Sequence, residues 1–592
     1  RCTLSMKHRG PNDKGFWSNN NNYSAVFVRL SIRDLSVNGH QPMLSACGNY
    51  TLSFNGEIYN SNDYISILKQ RGVEFKSHSD TEVLLYALIH LGLEKVLAEF
   101  DGMYAFAFFD NNKDELIIAR DRIGIKPLYI GYSNNFLIYS SQYDHIINVD
   151  FIKNNTLNYS SIGNYLAYGY MIGGDAVVNN TFVVPQGHYL VANKQGYVIN
   201  KFYDFSEKNT SDLIDAEEIF KSSVKAQMVS DVPVGTFLSG GVDSPLINFW
   251  ATETQRVKAF TIGSDDALFN ESIYAKKIAA TIGVEHHFKT IKENDFLELI
   301  DDNFKAFTEP FADFSSIPTM LVSKMASKHV SVILSGDGPD ELFWGYDRNI
   351  HFPKKAELFH LGKLKLAFKK LNNAKNISKR YFTTPNISSF YLKSLQSYGA
   401  EVWLHKVYKH PSTYNIMYNK IPEEYINPKQ INDSMQMVRW LEMNIHLQRI
   451  LLKVDRSTMY YSLEARVPFL SNSVLDYASV LNYTNCIKQE QGKSNIKEIL
   501  AKKIPPEWVY KKKQGFGVPM RDWLRKGIKQ DVYDSILNMP KELAVAFNKK
   551  QLEKMLLKEY DESNPHSANG FIWAIYALVK WHQLHRNSIL LS

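Results

Sequence analysis

Two short segments hold the residues best suited to chemistry. Ser239-Gly240-Gly241-Val242-Asp243-Ser244 stands between an apolar run, Val232–Leu238, and a helical pattern whose first turn holds Pro245. Glycines let backbone amides approach an oxyanion, serine hydroxyls can donate to it, and a helix N-terminus adds unpaired N–H groups and a positive dipole end. Such a loop suits a phosphate. No Gly-Lys-Ser/Thr follows, which disfavours a Walker loop and γ-phosphate chemistry of that type; the bland alternative is a plain strand-to-helix turn. The second segment, Ser335-Gly336-Asp337-Gly338-Pro339-Asp340-Glu341, also follows an apolar run, Val330–Leu334. Its carboxylates repel one another unless a cation or a polyphosphate–Mg²⁺ complex neutralises them, and Mg²⁺ prefers few carboxylates plus phosphate oxygens. Asp243 and Asp340 are therefore assigned as metal ligands, with a solvated acidic turn as the alternative.

These loops need a scaffold that sets two strand ends side by side. From Val232 onward, strand patterns at Val232–Leu238, Lys258–Ile262, His287–Ile291 and Val330–Leu334 alternate with helical ones from Pro245 and at Ser272–Ile282, Phe296–Phe307 and Pro318–Lys328. Such alternation predicts a parallel sheet covered by helices on both faces, with ligands at the carboxyl ends of its strands. Beyond Asn349 the pattern is mostly helical, with a basic run Lys354–Arg380 read as a solvated face and a strong helix over Met437–Met459. Upstream, from Tyr23 to Phe205, the chain reads as β-rich, with strands at Tyr50–Phe54, Ala105–Phe109, Glu115–Ala119, Phe136–Ser140 and His188–Ala192. Helices are expected at Asp63–Gln70 and at Asp80–Leu91, the latter capped by Ser79 or Asp80. The polar stretch Ser206–Ser211 marks a boundary, giving domains 1–205 and 212–592.

Composition narrows the class. With 44% hydrophobic and 22% charged residues over 592 positions, the chain is globular rather than disordered or fibrous. Lys and Arg number 68 against 61 acids, and +7 over such a length leaves no nucleic-acid or membrane footprint. Three scattered cysteines, Cys2, Cys47 and Cys486, argue against a disulfide framework or a four-thiolate metal site and favour a reducing, cytoplasmic setting. Cys47 and Cys486 read as small apolar residues. The longest apolar run, Phe571–Val579, is about half of the roughly 18 residues a spanning helix needs, and no signal peptide opens the chain. The chain opens at Arg1 directly in motif-like sequence, so residues ahead of it are expected.

The two loops resemble the pyrophosphate loop of adenylating ATP pyrophosphatases and its partner in glutamine-dependent asparagine synthetases. Similar to the same family, in order, are His8-Arg9-Gly10-Pro11-Asn12-Asp13, Arg29-Leu30-Ser31-Ile32, Asn55-Gly56-Glu57-Ile58-Tyr59-Asn60, Ser79-Asp80-Thr81-Glu82, Asp121-Arg122-Ile123-Gly124-Ile125-Lys126-Pro127-Leu128-Tyr129, Ser462-Leu463-Glu464-Ala465-Arg466-Val467-Pro468-Phe469-Leu470 and Lys513-Gln514-Gly515-Phe516-Gly517-Val518-Pro519. They span almost the whole chain.

The resemblance implies two domains of mixed α/β and α+β class. An N-terminal-nucleophile hydrolase sandwich (αββα) would release ammonia from glutamine, followed by a parallel-sheet ATP-pyrophosphatase domain with a helical C-terminal part. In the first, Asn55 and Gly56 would form the oxyanion hole, Arg29 would hold the glutamine carboxylate, and Glu57 and Asp80 its ammonium. The family's nucleophile, a first-residue cysteine in Cys-Gly-Ile well upstream of His8, has no counterpart here; Cys2 reads as part of a helix. In the second, ATP is a co-substrate with Mg²⁺ on Asp243 and Asp340. Ser239, Gly240, Gly241 and Ser244 would hold the pyrophosphate, and Lys493 would neutralise charge. Asp337 would act as a base toward ammonia, while Phe237, Ile262, Ser335 and Gly336 would line the nucleotide. Asp455-Arg456-Ser457 would approach the acceptor. That acceptor is aspartate or another carboxylate, such as a sugar acid of a surface polysaccharide or an antibiotic precursor. A non-catalytic descendant is the third reading. Partners are small molecules, without nucleic acid or membrane, and a homodimer is left open.

Overall fold

The computed structural model describes residues 2–205, 215–264, 272–360, 386–410, 421, 423–426, 428, 430–511, 520–560 and 568–586. The boundary stretch Ser206–Ser211, the Lys513–Pro519 motif, most of the basic run and the Cys2 side chain lie outside them.

The N-terminal part is built on a six-stranded antiparallel sheet. Its order is Gly196–Lys201, His188–Asn193, Glu115–Arg120, Gly102–Asp110, Tyr50–Ile58 and Met43–Leu44. Helices Asn62–Gln70 and Asp80–His90 cover one face, burying Leu68, Val83, Leu84 and Ala87 against Leu52 and Phe54. Ser79 caps the second helix by accepting from Thr81 N–H at 3.2 Å, which removes one orphan donor. The other face buries Ala105, Ala107, Ile118 and Leu190 under a three-stranded sheet, Leu137–Ser140, Tyr129–Tyr132 and Thr181–Val183. A separate two-stranded ribbon, Asp13–Ser18 with Ser24–Arg29, lies beside it. Further helices Tyr143–Ile147 and Tyr159–Tyr168 follow. This is the expected αββα sandwich. The expected strand at Phe136–Ser140 begins one residue later, and Phe136 is exposed.

In the C-terminal part, five parallel strands run in the order Glu285–Ile291, Lys258–Ser264, Val234–Phe237, Val332–Leu334, Glu464–Arg466. The chain starts this sheet at Val234–Phe237, grows to one side through the next two strands, then crosses to the other. The switch therefore falls between Val234–Phe237 and Val332–Leu334, where such sheets bind ligands. Both Gly-rich segments leave the sheet there.

The long helix expected at Met437–Met459 is present but irregular. Ile431–Leu441 and Leu447–Met459 are α-helical, joined by a π-helical turn at Glu442–His446. The apolar run Phe571–Val579 lies in helix Asn569–His585, which is buried nearly all round, as an all-apolar helix must be. No helix among the described residues is long and apolar enough to cross a membrane. Of the two cysteines read as small apolar residues, Cys486 is buried, whereas Cys47 is exposed, with its Sγ 3.3 Å from Ser45 Oγ.

Candidate active site

The residues expected to hold the nucleotide, the pyrophosphate and the metal, with Asp337 and Lys493, line one cavity of about 890 Å³ at the sheet's switch point. The first loop is held by its own hydroxyls: Ser244 Oγ accepts from Ser239 N–H at 2.8 Å, and Ser239 Oγ accepts from Gly241 N–H at 3.1 Å. Asp243 opens helix Asp243–Thr254. The second loop packs directly on the first, since a Cβ on Gly336 would stand 2.8 Å from Ser244 N. Only glycine allows that approach. Ser335 Oγ donates to Asp337 Oδ2 at 2.5 Å.

Lys493 joins the two loops. Its Nζ lies 2.7 Å from Asp243 Oδ2 and 2.9 Å from Asp340 Oδ1. Burial works against the ammonium charge, but the two carboxylates hold its pKa above that of an ordinary lysine. Lys493 adopts a left-handed backbone at the start of helix Ser494–Ala501, and its N–H reaches Phe343 O, 3.2 Å away. Glu341, one residue beyond Asp340, is buried and accepts from Tyr346 OH at 2.5 Å. Burial first, then Asp340, pushes its pKa up to about 8.

The glutaminase residues Arg29, Asn55, Gly56, Glu57 and Asp80 line a second cavity of about 830 Å³, between the ribbon, the three-stranded sheet and the main sheet. Asn55 Nδ2 donates to Ser141 Oγ at 3.0 Å, and Asp80 Oδ2 accepts from Ile58 N–H at 2.8 Å. Arg29 donates to the carbonyls of Arg33, Asp34 and Ser36. Glu57 is held by an arginine on each oxygen: Arg33 Nη1 at 2.9 Å and Arg466 Nη2 at 3.0 Å, the latter from the other half of the chain.

Asp455-Arg456-Ser457 requires a correction, because these residues lie buried between the two halves and do not line the cavity that holds the two loops. Asp455 takes a two-pronged pair from Arg9, at 2.8 and 3.1 Å. Burial opposes its charge, yet Arg9 and Lys126 hold its carboxyl below the usual carboxylate range. Arg456 lies 3.1 Å from Glu309 Oε2 and 3.1 Å from Tyr129 OH, and it donates to Gln142 Oε1. Helical phase explains the error: the face toward the synthetase cavity carries His446, Arg449, Ile450, Lys453 and Val454. The i, i+4 spacing of Arg449 and Lys453 was the available signal, and sequence reasoning missed it. Arg466 was quoted within a motif without a role; its side chain is fully buried and also pairs with Glu464 at 2.8 Å.

Comparison with known proteins fits this geometry. The Asparagine synthase family model matches residues 215–583, and the Glutamine amidotransferase domain model matches residues 1–203. Asparagine synthetase (glutamine-hydrolyzing) 1 of Bacillus subtilis (strain 168) is 29% identical over 98% of this chain and 92% of its own length. Its paralogue, asparagine synthetase 3, is 25% identical over 94% of this chain and 90% of its own. A relative matched over less of the chain, Amidase chry2 of Gibberella zeae, is 27% identical over 58% of this chain and 54% of its own. With the first of these models matching more than half of the chain and the second its N-terminal part, the chain belongs to the asparagine synthase family, as a glutamine-dependent amidotransferase.

Proposed function

We propose that residues 212–592 amidate aspartate to asparagine through a β-aspartyl-adenylate, releasing AMP and pyrophosphate, with ammonia from glutamine hydrolysed at the N-terminal cavity once the nucleophilic cysteine is present. The carrying observation is the convergence of both Gly-rich loops and Lys493 on one cavity at the switch point of a parallel sheet.

In this reading the acceptor carboxylate attacks the α-phosphorus of ATP, and negative charge builds on the departing pyrophosphate. Ser239, Gly240, Gly241 and Ser244 receive that charge through hydroxyls, backbone amides and the N-terminus of helix Asp243–Thr254. Lys493, a buried cation between the two loops, would stabilise the same charge. Phe237, Ile262, Ser335 and Gly336 wall the nucleotide. Asp243 and Asp340 fit a hard divalent ion, since two carboxylates on adjacent loops leave the remaining positions to phosphate oxygens and water. Mg²⁺ held by them would neutralise pyrophosphate charge. Asp337, restrained by Ser335, takes the proton from ammonia as it opens the adenylate.

On the glutaminase side Asn55 Nδ2 and the Gly56 N–H serve the oxyanion, Arg29 the carboxylate, and Asp80 with Glu57 the ammonium. One helix borders both cavities. Met459 borders the glutaminase cavity and Lys453 the synthetase cavity, and both lie on one helix. At the α-helical rise they are about 9 Å apart.

The test is ammonium-dependent turnover with ATP and aspartate, following asparagine, AMP and pyrophosphate. ADP in place of AMP rejects the adenylate. Asp243→Asn and Asp340→Asn should each abolish pyrophosphate release while the melting temperature stays within a few degrees. A near-wild-type rate in either removes that residue from the metal site.

A further inference from the structure

Resting on the reading of this cavity as the amidating site, we propose that Asp313, Arg449 and Lys453 select the acceptor by its α-amino acid group. Arg449 and Lys453 take the α-carboxylate and Asp313 takes the ammonium, so that the second carboxylate is presented for activation.

The three side chains line the synthetase cavity together with the phosphate loop. Arg449 and Lys453 lie one turn apart on helix Leu447–Met459 and so share a face. Opposite them, Asp313 precedes helix Ser316–Ala326, and its Oδ1 is fixed by Ser315 through N–H at 2.9 Å and Oγ at 2.7 Å. That leaves Oδ2 toward Arg449 Nε at 3.4 Å. Nε is buried and finds no hydrogen-bond acceptor, so the two charges are close without closing on each other. Lys453 Nζ donates to Ser315 Oγ at 3.1 Å, which uses one of the three donors of an ammonium. Burial opposes the charge on Asp313, but Arg449 and Lys453 keep its carboxyl ionised below the usual range.

Two cations alone would suit a triphosphate. An ionised carboxylate fixed opposite them does not, because it repels phosphate oxygens, and the phosphate end already has its own loop and Lys493. A cation pair beside a fixed anion matches a zwitterion, whose carboxylate and ammonium sit on one carbon. A sugar acid offers the carboxylate but no ammonium, and it would strip water from Asp313 without replacing it.

The test is ATP–pyrophosphate exchange with L-aspartate, with succinate, which lacks the ammonium, and with 3-aminopropanoate, which lacks the α-carboxylate. Arg449→Met and Lys453→Gln should each raise the aspartate KM roughly 10- to 100-fold, the range for losing one charge-assisted hydrogen bond. The ATP KM should hold, and Arg449→Lys should recover part of the loss. Asp313→Asn should collapse the preference for aspartate over succinate. The assignment is overturned if the variants leave the aspartate KM within about twofold, if Asp313→Asn weakens aspartate and succinate alike, or if the ATP KM rises instead. If the wild type activates a carboxylate without an ammonium and ignores aspartate, the proposed function itself falls. If it activates aspartate and the variants do not discriminate, only this inference falls.

Discussion

Gly345→Ala probes whether the Lys493 bridge is needed for chemistry. A Cβ at position 345 would lie 2.1 Å from Asp340 Oδ1 and 2.8 Å from Lys493 Cε, where ordinary contact begins at 3.4 Å. Asp340 must therefore withdraw, and its 2.9 Å contact with Lys493 cannot survive in place. The carboxylate borders the cavity and can swing into it, so the fold should tolerate the change at the usual overpacking cost of about 1–3 kcal/mol. In a domain of this size that corresponds to a fall of only a few degrees in melting temperature. Catalysis should suffer more, since a displacement of about 1 Å in a reacting constellation can cost on the order of 10²-fold. Gly492→Ala is the contrast: there the Cβ would meet the Trp344 backbone carbonyl at 2.1 Å, which cannot swing aside, so melting should fall further. Initial rates of pyrophosphate release and thermal melts on both variants decide the matter. A Gly345→Ala protein turning over within about threefold of wild type would show that the Asp340–Lys493 geometry is dispensable.

Other outcomes follow from the same contacts. Asn55→Ala, in a chain carrying the nucleophilic cysteine, should slow glutamine hydrolysis roughly 10²–10³-fold and spare ammonium-dependent synthesis; parallel loss of both would mean that Asn55 serves stability instead. Glu341 keeps its proton in the folded state up to about pH 8, whereas its ordinary value is 4.5. Its contribution to stability is whole below pH 4.5 and is lost as pH rises through 8. Glu341→Gln should therefore flatten the fall in melting temperature across that window, and an unchanged slope would reject the assignment. Arg466→Met leaves Glu464 buried without its pairing arginine and Glu57 with Arg33 alone, at about 3–5 kcal/mol. Adding Glu57→Gln should recover part of that loss in a denaturant melt, and no recovery would mean that the cost lies elsewhere.

The parallel sheet and its two loops were legible because each strand is a short apolar run followed by its own turn chemistry. Ser239–Ser244 and Ser335–Glu341 could thus be placed at one sheet edge before any coordinates. The ends of elements were less legible: Lys258–Ile262 extends to Ser264, and helix Asp80–Leu91 stops at His90. What could not be read was pairing across the chain. Arg9 finds Asp455, 446 residues away, and Glu57 finds Arg466, yet in sequence each is one more charge on a polar face. Asp455 and Arg456 were misplaced for that reason, because helical periodicity gives a face but not the neighbour that covers it. The strand Ser24–Arg29 was also missed, since its burial is mixed and its apolar alternation weak.

The π-helical turn at Glu442–His446 has a consequence for aim. It admits one residue more than an α-helical turn would, and so rotates everything beyond it by about 100° relative to everything before. Ahead of that rotation the helix packs through Trp440 and Leu441, and at its first position Glu442 is clamped by Arg348 at 2.7 and 2.8 Å. Beyond it, Arg449 and Lys453 point at the cavity. The turn works as a phase shifter between a fixed anchor and a working face. Deleting a single residue within it would leave both helical halves capable of forming while turning the cationic stripe away from the cavity, so the length of this segment, more than its composition, sets where those two charges are aimed.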